Sequence, residues 1–428
     1  MPPATSNMPP AAEPPRSLGR TRDWWRRASA IVPGGTHTIS KRVGQFAPED
    51  RFPAFLVRGR GALVWDPDGN EYIDYIAALA PIVLGYAHPE VNAAIRAQLD
   101  DGILLSLPGT AEVELGETLC RILPCAQRVR LFKTGAEATA AAVRAARLVT
   151  GRTKVLSCGY HGWHDWWAVT KSSAGIPAAL AACTDEFPFG DLAAFERQFA
   201  AQRGELAAVI LTPAVYGRNP PPGFLETIRR HTAEARVPLI FDEIITGFRW
   251  ALAGAQGRYG VVPDLACFGK SLANGMPLAA LVGRAEWMDP IKDNWISSTY
   301  AGELLSIRAA LATLEILQRD HVFARLEATA AALQAGLAGI ARRLGVPITQ
   351  GDALPALVFL PIIEGVPLPD LQTALLSDAA QHGVLLRRDP AGISMCLMGA
   401  HTDDHVAQTL TVIERAISAV AAGTARRS

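Results

Sequence analysis

The chain has 428 residues, 49% of them apolar and 19% charged, and its 41 Lys+Arg balance 41 Asp+Glu. That length supports two domains with buried cores, and the composition excludes a disordered or fibrous chain. A formal charge of zero leaves no global field for nucleic acid or a membrane surface, so an acidic small molecule must be held by local charges and backbone dipoles.

Residues 1–16 carry six prolines and no hydrophobic signal core, which predicts a disordered tail. A short amphipathic helix over 17–30, bearing Trp24 and Trp25, runs into the Gly-rich loop Pro33-Gly34-Gly35-Thr36-His37-Thr38. Runs at 63–65 and 72–75 flank the turn Asp66-Pro67-Asp68-Gly69-Asn70 and predict a hairpin. Helical patterns follow at 89–101 and 113–123. From about 110 to 310, apolar runs at 129–132, 154–158, 208–212, 238–242, 265–268 and 278–282 alternate with helical stretches. That alternation predicts an α/β fold whose mostly parallel sheet is covered by helices on both faces. A long Ala/Leu-rich helix is expected over 306–337, followed by mixed short strands and helices. The expected organisation is an N-terminal segment at 17–80, a large domain at 81–310 and a smaller α+β domain at 311–428, joined by the N-terminal segment. The six cysteines show no CxxC pair and no metal-ligand spacing, as expected of reduced thiols in a cytoplasmic protein. No apolar run reaches the length of a membrane span.

Three stretches carry chemistry. Thr134-Gly135-Ala136-Glu137 fits a capping box at the start of an alanine-rich helix, where the amides of Gly135 and Ala136 and the helix dipole favour a phosphate. Ser298 and Thr299 offer a second anion contact. Tyr160 and His161, in Gly159-Tyr160-His161-Gly162-Trp163-His164, follow a strand and suit stacking on an aromatic ring. His161 and His164 have no third ligand, so a zinc site is a poor reading. Finally, the runs ending in Asp242 and at Gly269-Lys270-Ser271 read as buried strands, and functional residues sit just past the carboxyl ends of such strands. Lys270 there can form a Schiff base, and Asp242 can hold a pyridinium nitrogen protonated. Taken singly, a capping box or a lone lysine is far more often structural or solvated. It is the constellation that changes the reading.

Thr-Gly-Ala-Glu-Ala, Gly-Tyr-His-Gly, Phe-Asp-Glu-Ile-Ile-Thr-Gly-Phe-Arg, Gly-Ala-Gln-Gly-x-Tyr-Gly-Val-x-Pro-Asp-Leu and Phe-Gly-Lys occur in that order. From about residue 31 to 405 the chain resembles the class III aminotransferases, within them the glutamate-1-semialdehyde aminomutase branch. The resemblance implies fold-type I architecture, with a large domain built on a seven-stranded-type sheet and a smaller domain from the N- and C-terminal segments. It also implies a homodimer and pyridoxal 5'-phosphate as cofactor. Carried over, Lys270 is the Schiff-base lysine and general acid/base, and Asp242 pairs with the pyridine nitrogen. Tyr160 stacks on one ring face and Ile244 packs on the other. Gly135 and Ala136 donate amides to the phosphate, Thr134 and His161 are further cofactor contacts, Tyr160 counts with Lys270 and Asp242 among the catalytic residues, and Thr299 reaches the phosphate from the partner subunit.

Departures from the branch fall around the substrate. Thr38 and Lys41 stand where the aminomutases carry Ser and Arg, Leu79 replaces a pocket tryptophan, Thr212-Pro213 replaces Glu-Pro, and the segment between Trp167 and Ile176 is compressed. Lysine lacks the bidentate fork of arginine. These changes argue against glutamate semialdehyde as substrate. The expected function is ping-pong transfer of an amino group from an amino-acid donor to a keto or aldehyde acceptor, in a surface-sugar or secondary-metabolite pathway. The alternatives are an intramolecular aminomutase or racemase, which needs a closing lid, and a non-catalytic cofactor-binding scaffold. Lys41, Lys133, Arg249, Arg387 and Arg388 are all candidate grips for a substrate anion, and spacing does not rank them.

Overall fold

The computed structural model describes residues 16–215, 217–352 and 356–425, so all but the last residue of the expected tail lies outside the described residues. The chain opens with the helix Gly19–Ile31 and an antiparallel unit of β1 (Arg58–Arg60), β2 (Leu63–Trp65) and β3 (Glu71–Asp74). Asp66 shapes the expected turn: its carboxylate accepts the Asn70 amide at 2.9 Å and the Tyr72 hydroxyl at 2.8 Å.

Seven strands build the central sheet: β4 (Arg128–Phe132), β5 (Lys154–Cys158), β6 (Thr184–Glu186), β7 (Leu206–Leu211), β8 (Leu239–Asp242), β9 (Leu265–Phe268) and β10 (Ala279–Gly283). Their order is β4-β10-β9-β8-β7-β5-β6. Only β10 runs against its neighbours, β4 and β9, while the remaining pairs are parallel. Every residue of β7, β8, β9 and β10 is buried, which is why these strands read as continuous apolar runs. The short β6 escaped the sequence reading because Thr-Asp-Glu at a sheet edge has no apolar signature. β7 begins two residues earlier than expected and ends at Leu211, so Thr212 lies just beyond it.

Beyond the central sheet come β11 (Ile348–Gln350), β12 (Ala356–Pro361), β13 (Val384–Leu385), β14 (Arg387–Asp389) and β15 (Gly392–Cys396). Four of them form a sheet in the order β11-β12-β15-β14, whereas β13 pairs in parallel with β3 and ties the C-terminal part to the N-terminal segment.

One expectation is corrected. The single helix over 306–337 is two, Leu304–Arg319 and Val322–Leu344, broken at Asp320 and His321, whose φ of 51° is left-handed. The first packs on the helix Pro89–Asp100 and the second on the helix Asp403–Ala425. No Gly or Pro marks the break; tertiary packing imposes it.

Candidate active site

Because β4 is antiparallel to β10 and β10 to β9, β4 runs parallel to the other strands but β10, and one edge collects six carboxyl ends, five of which carry candidate residues. Thr134 to Ala136 follow β4, Tyr160 and His161 follow β5, Thr212 follows β7, Asp242 ends β8 and Lys270 follows β9. A cavity of about 180 Å³ opens there, lined among others by Gly135, Ala136, Tyr160, His161, Asp242, Ile244 and Lys270. Residues 135 apart in the chain (Gly135 and Lys270) thus face one crevice, as the rule for open α/β sheets requires.

The cradle is built by the helix Gly135–Thr150. Thr134 caps it: Glu137 Oε2 accepts the Thr134 amide at 2.8 Å and the Glu137 amide donates to Thr134 Oγ1 at 3.3 Å. The box leaves the amides of Gly135 and Ala136, at the first two helical positions, without an acceptor among the described residues. A Cβ at Gly135 would come within 2.9 Å of Ile244 Cδ1, and one at Gly162 within 2.6 Å of Ala136 Cβ. Both glycines thus let neighbouring segments pack closely against the start of the helix. Thr134 itself caps the helix and is absent from the cavity lining.

At the sheet edge, His161 Nδ1 lies 2.8 Å from Asp242 Oδ2, and both side chains are buried. The other carboxylate oxygen accepts the Ile244 amide at 3.1 Å. The His161 turn is held by Thr139, whose hydroxyl donates to the His161 carbonyl at 2.8 Å, while the ring stacks near Trp166 at 6.1 Å and meets Trp167 edge-on at 5.9 Å. Lys270 is half-buried overall, but its amine is enclosed, and that burial lowers its pKa to about 8, partly opposed by Asp242. A buried carboxylate and a buried, easily neutralised amine in one apolar-walled cavity are the donor set that a pyridoxal phosphate ring asks for, with the phosphate at a helix N-terminus. The residues present fit the group.

Tyr160 lines the cavity at its mouth, 67% exposed, and its edge meets Trp167 with centroids 4.9 Å apart. Sequence reasoning missed Thr139, Trp163 and Ile245 in the lining. Thr139 had a signal, a polar residue on the buried face of an alanine helix. Trp163, 73% exposed, had none.

Thr299 is exposed and does not line its own chain's cavity, and the same holds for Thr38 and Lys41. Among the candidate anion grips, Lys133 is paired with Glu303 at 2.8 Å. Arg249 is fully buried and donates to three backbone carbonyls. Arg388 bonds the carbonyls of Pro369 and Phe46 and the side chains of Gln372 and Thr373. Arg387 has no side-chain partner among the described residues, and its charge reaches Lys270, lowering that amine's pKa. It lines a second cavity of about 300 Å³ with Ser40, Gln45 and Phe46. Among the described residues no helix is long and apolar enough to cross a membrane, and no His/Cys/Asp/Glu cluster suits a metal.

Comparison with known proteins converges on one family. The profile described as Aminotransferase class-III matches residues 45–417. The 3-aminobutyryl-CoA aminotransferase of Cloacimonas acidaminovorans is 36% identical over 412 residues, 94% of this chain and 98% of that protein. A glutamate-1-semialdehyde 2,1-aminomutase of Desulfitobacterium hafniense is 35% identical, over 91% and 96% of the two chains. The FumI protein of Sphingopyxis sp. MTA144, solved in its PLP internal aldimine form, superimposes with a TM-score of 0.88 at 31% identity, covering 95% of this chain and 97% of that one.

Proposed function

From the premise that this chain belongs to the class-III aminotransferases and is a pyridoxal-phosphate-dependent aminotransferase of fold type I, we propose that it moves an amino group from an amino-acid donor to a keto or aldehyde acceptor by ping-pong chemistry. The observation that carries this reading is the Asp242–His161 pair sharing a cavity with Lys270. Bound there, the cofactor supplies an electron sink for the substrate carbon that loses a proton. The chain's own part follows from its groups. Asp242, fixed by His161 and the Ile244 amide, presents a negative charge to the ring nitrogen. Lys270, whose amine has a pKa lowered to about 8, would be the general acid/base that takes the proton from the donor carbon. The helix Gly135–Thr150 holds the phosphate by its free amides. Ile244 and Tyr160, which both line the cavity, would flank the ring.

Arg387 is the proposed grip for an anionic group on the substrate, because its side chain has no partner among the described residues and its charge reaches Lys270, whereas Lys133, Arg249 and Arg388 are engaged and Lys41 lines neither cavity. The relative named for 3-aminobutyryl-CoA places β-amino donors in the panel to be tried. A homodimer is proposed on two surface features: exposed Thr299, and the exposed apolar run Ile103, Leu104, Leu105 and Leu107 that hydrogen-bonds to the Thr299 segment through Leu304. The free cysteines support a cytoplasmic location. A biosynthetic setting, in surface-sugar or secondary-metabolite assembly, remains our reading of the substituted substrate positions.

The test is the visible spectrum of the purified protein with α- and β-amino donors. Bleaching by a donor and recovery on adding a keto acid or sugar ketone supports transfer. A donor consumed with no free keto product, followed by a coupled dehydrogenase, would favour the aminomutase or racemase instead.

A further inference from the structure

We infer that Arg249 is a positioning residue for Lys270, acting through the carbonyl of Ala80. The Arg249 guanidinium is fully buried and donates to carbonyls of two distant segments. Nη2 bonds Ala80 and Ile82, each at 2.7 Å, and Nη1 bonds Leu397 at 2.6 Å. The Ala80 carbonyl also accepts the hydroxyl of Ser271 at 3.2 Å, and Ser271 is the neighbour of Lys270. Three residues further on, Asn274 accepts the amides of Val83 and Leu84 at 3.0 Å and donates to the Gly85 carbonyl at 3.0 Å. The turn that carries Lys270 is therefore latched to residues 80–85 by two side chains, and Arg249 holds that segment from behind.

The backbone explains why such a latch is needed. Ala77, Ala78, Leu79 and Ala80 have φ of 49°, 55°, 74° and 80°, and Lys270 and Asn274 have 47° and 45°. Side-chain-bearing residues rarely adopt the left-handed region, and a run of them persists only where the surroundings over-determine it. Asp74 fixes the near end of the run, accepting the amides of Ile76 at 2.7 Å and Ala77 at 3.1 Å and the Tyr86 hydroxyl at 2.7 Å. Arg249 fixes the far end. It stands on the loop that follows Asp242, so one guanidinium links the Asp242 loop, the left-handed strap and the Lys270 turn. That linkage sets the placement of the amine relative to the carboxylate, and a flexible ammonium cannot reproduce a planar fork serving three carbonyls.

The inference rests on the proposal that Lys270 is the reactive amine. Its test compares cofactor-loaded wild type with Arg249→Lys, which keeps the charge and loses the fork, with Ser271→Ala, and with the double variant. Turnover, KM and the pH midpoint of the visible band are measured. The expected result is a 10- to 100-fold (order-of-magnitude) fall in kcat for Arg249→Lys with KM within about twofold, a displaced midpoint, and a weaker change of the same kind for Ser271→Ala. The double variant should match Arg249→Lys alone, because both act through one carbonyl. Additive effects would overturn the inference, as would an Arg249→Lys protein that melts earlier but keeps wild-type kcat and midpoint. If Arg249→Lys does not fold, Ser271→Ala and Asn274→Ala are compared instead, and unchanged kcat and midpoint in both would overturn it. A wild type with no visible band removes the functional reading and this inference with it; a wild-type band with unmoved variants removes the inference alone.

Discussion

The buried carboxylate of Asp242 and the buried imidazole of His161, 81 residues apart in the chain, meet at 2.8 Å. The contact uses Nδ1 and leaves Nε2 without a partner among the described residues, so the ring's role here is to orient the carboxylate. Replacing Asp242 with Asn removes the charge while keeping the shape. Turnover should fall by about 10²- to 10³-fold, the size expected for loss of a preorganised charge. His161→Phe should cost roughly tenfold, since it removes an orienting partner only. Steady-state kinetics on the two variants decide this, and equal losses would contradict it.

Lys270 makes a pH prediction with a definite sign. Its pKa is lowered to about 8, chiefly by burial, so the neutral amine dominates above that pH and the ammonium below it. Capture of added cofactor by the apoprotein should therefore accelerate as pH rises, with a midpoint near 8 rather than near the usual lysine value. Stopped-flow absorbance between pH 6 and 10 (a range of about four units around the midpoint) measures it. Lys270→Ala should abolish the band shift at every pH.

Gly162 is the tightest point of the cradle. Its φ is 101°, and an added Cβ would lie 2.6 Å from the Cβ of Ala136, whose amide belongs to the anion site. Gly162→Ala should destabilise the protein by about 1–3 kcal/mol and weaken cofactor binding about tenfold or more. Thermal melting with a cofactor titration reads both, and wild-type affinity in the variant would place the phosphate elsewhere.

Arg387 separates binding from chemistry. Arg387→Ala should raise KM for a donor with an anionic group by about 10- to 100-fold, the loss expected for a charged hydrogen bond, while kcat stays within a few-fold. A donor lacking that group should be unaffected. The same variant should move the Lys270 midpoint upward, because a nearby positive charge has been removed.

Thr299 reports on the assembly. It is exposed in the single chain and does not line that chain's cavity. If a second copy brings it to the phosphate, Thr299→Ala should lose cofactor faster on dilution while kcat with saturating cofactor changes little. Gel filtration showing a monomer that still retains cofactor would sink the dimer proposal.

Most of the central sheet was legible in the sequence, because buried parallel strands must be apolar throughout and are closed by Gly, Pro or a polar residue. The runs at 154–158 and 265–268 coincide with β5 and β9 to the residue. The same logic located Asp242, Lys270 and the capping box at Thr134, since strand ends and helix starts have local signatures. The break at His321 and the short strand β6 had no such signature.

Sequence alone thus determined the sheet, through local periodicity, and the family, through motifs in a fixed order. It left five cations equivalent as anion grips and gave no sign of the left-handed run at Ala77 to Ala80. Only the tertiary structure showed that run and which cations are already engaged, because a guanidinium's task depends on which carbonyls or carboxylates lie within about 3 Å of it. Arg249 is bound to backbone carbonyls of two segments, Lys133 to Glu303, and the Arg387 side chain to no partner among the described residues, and that difference is a property of packing across hundreds of residues of chain.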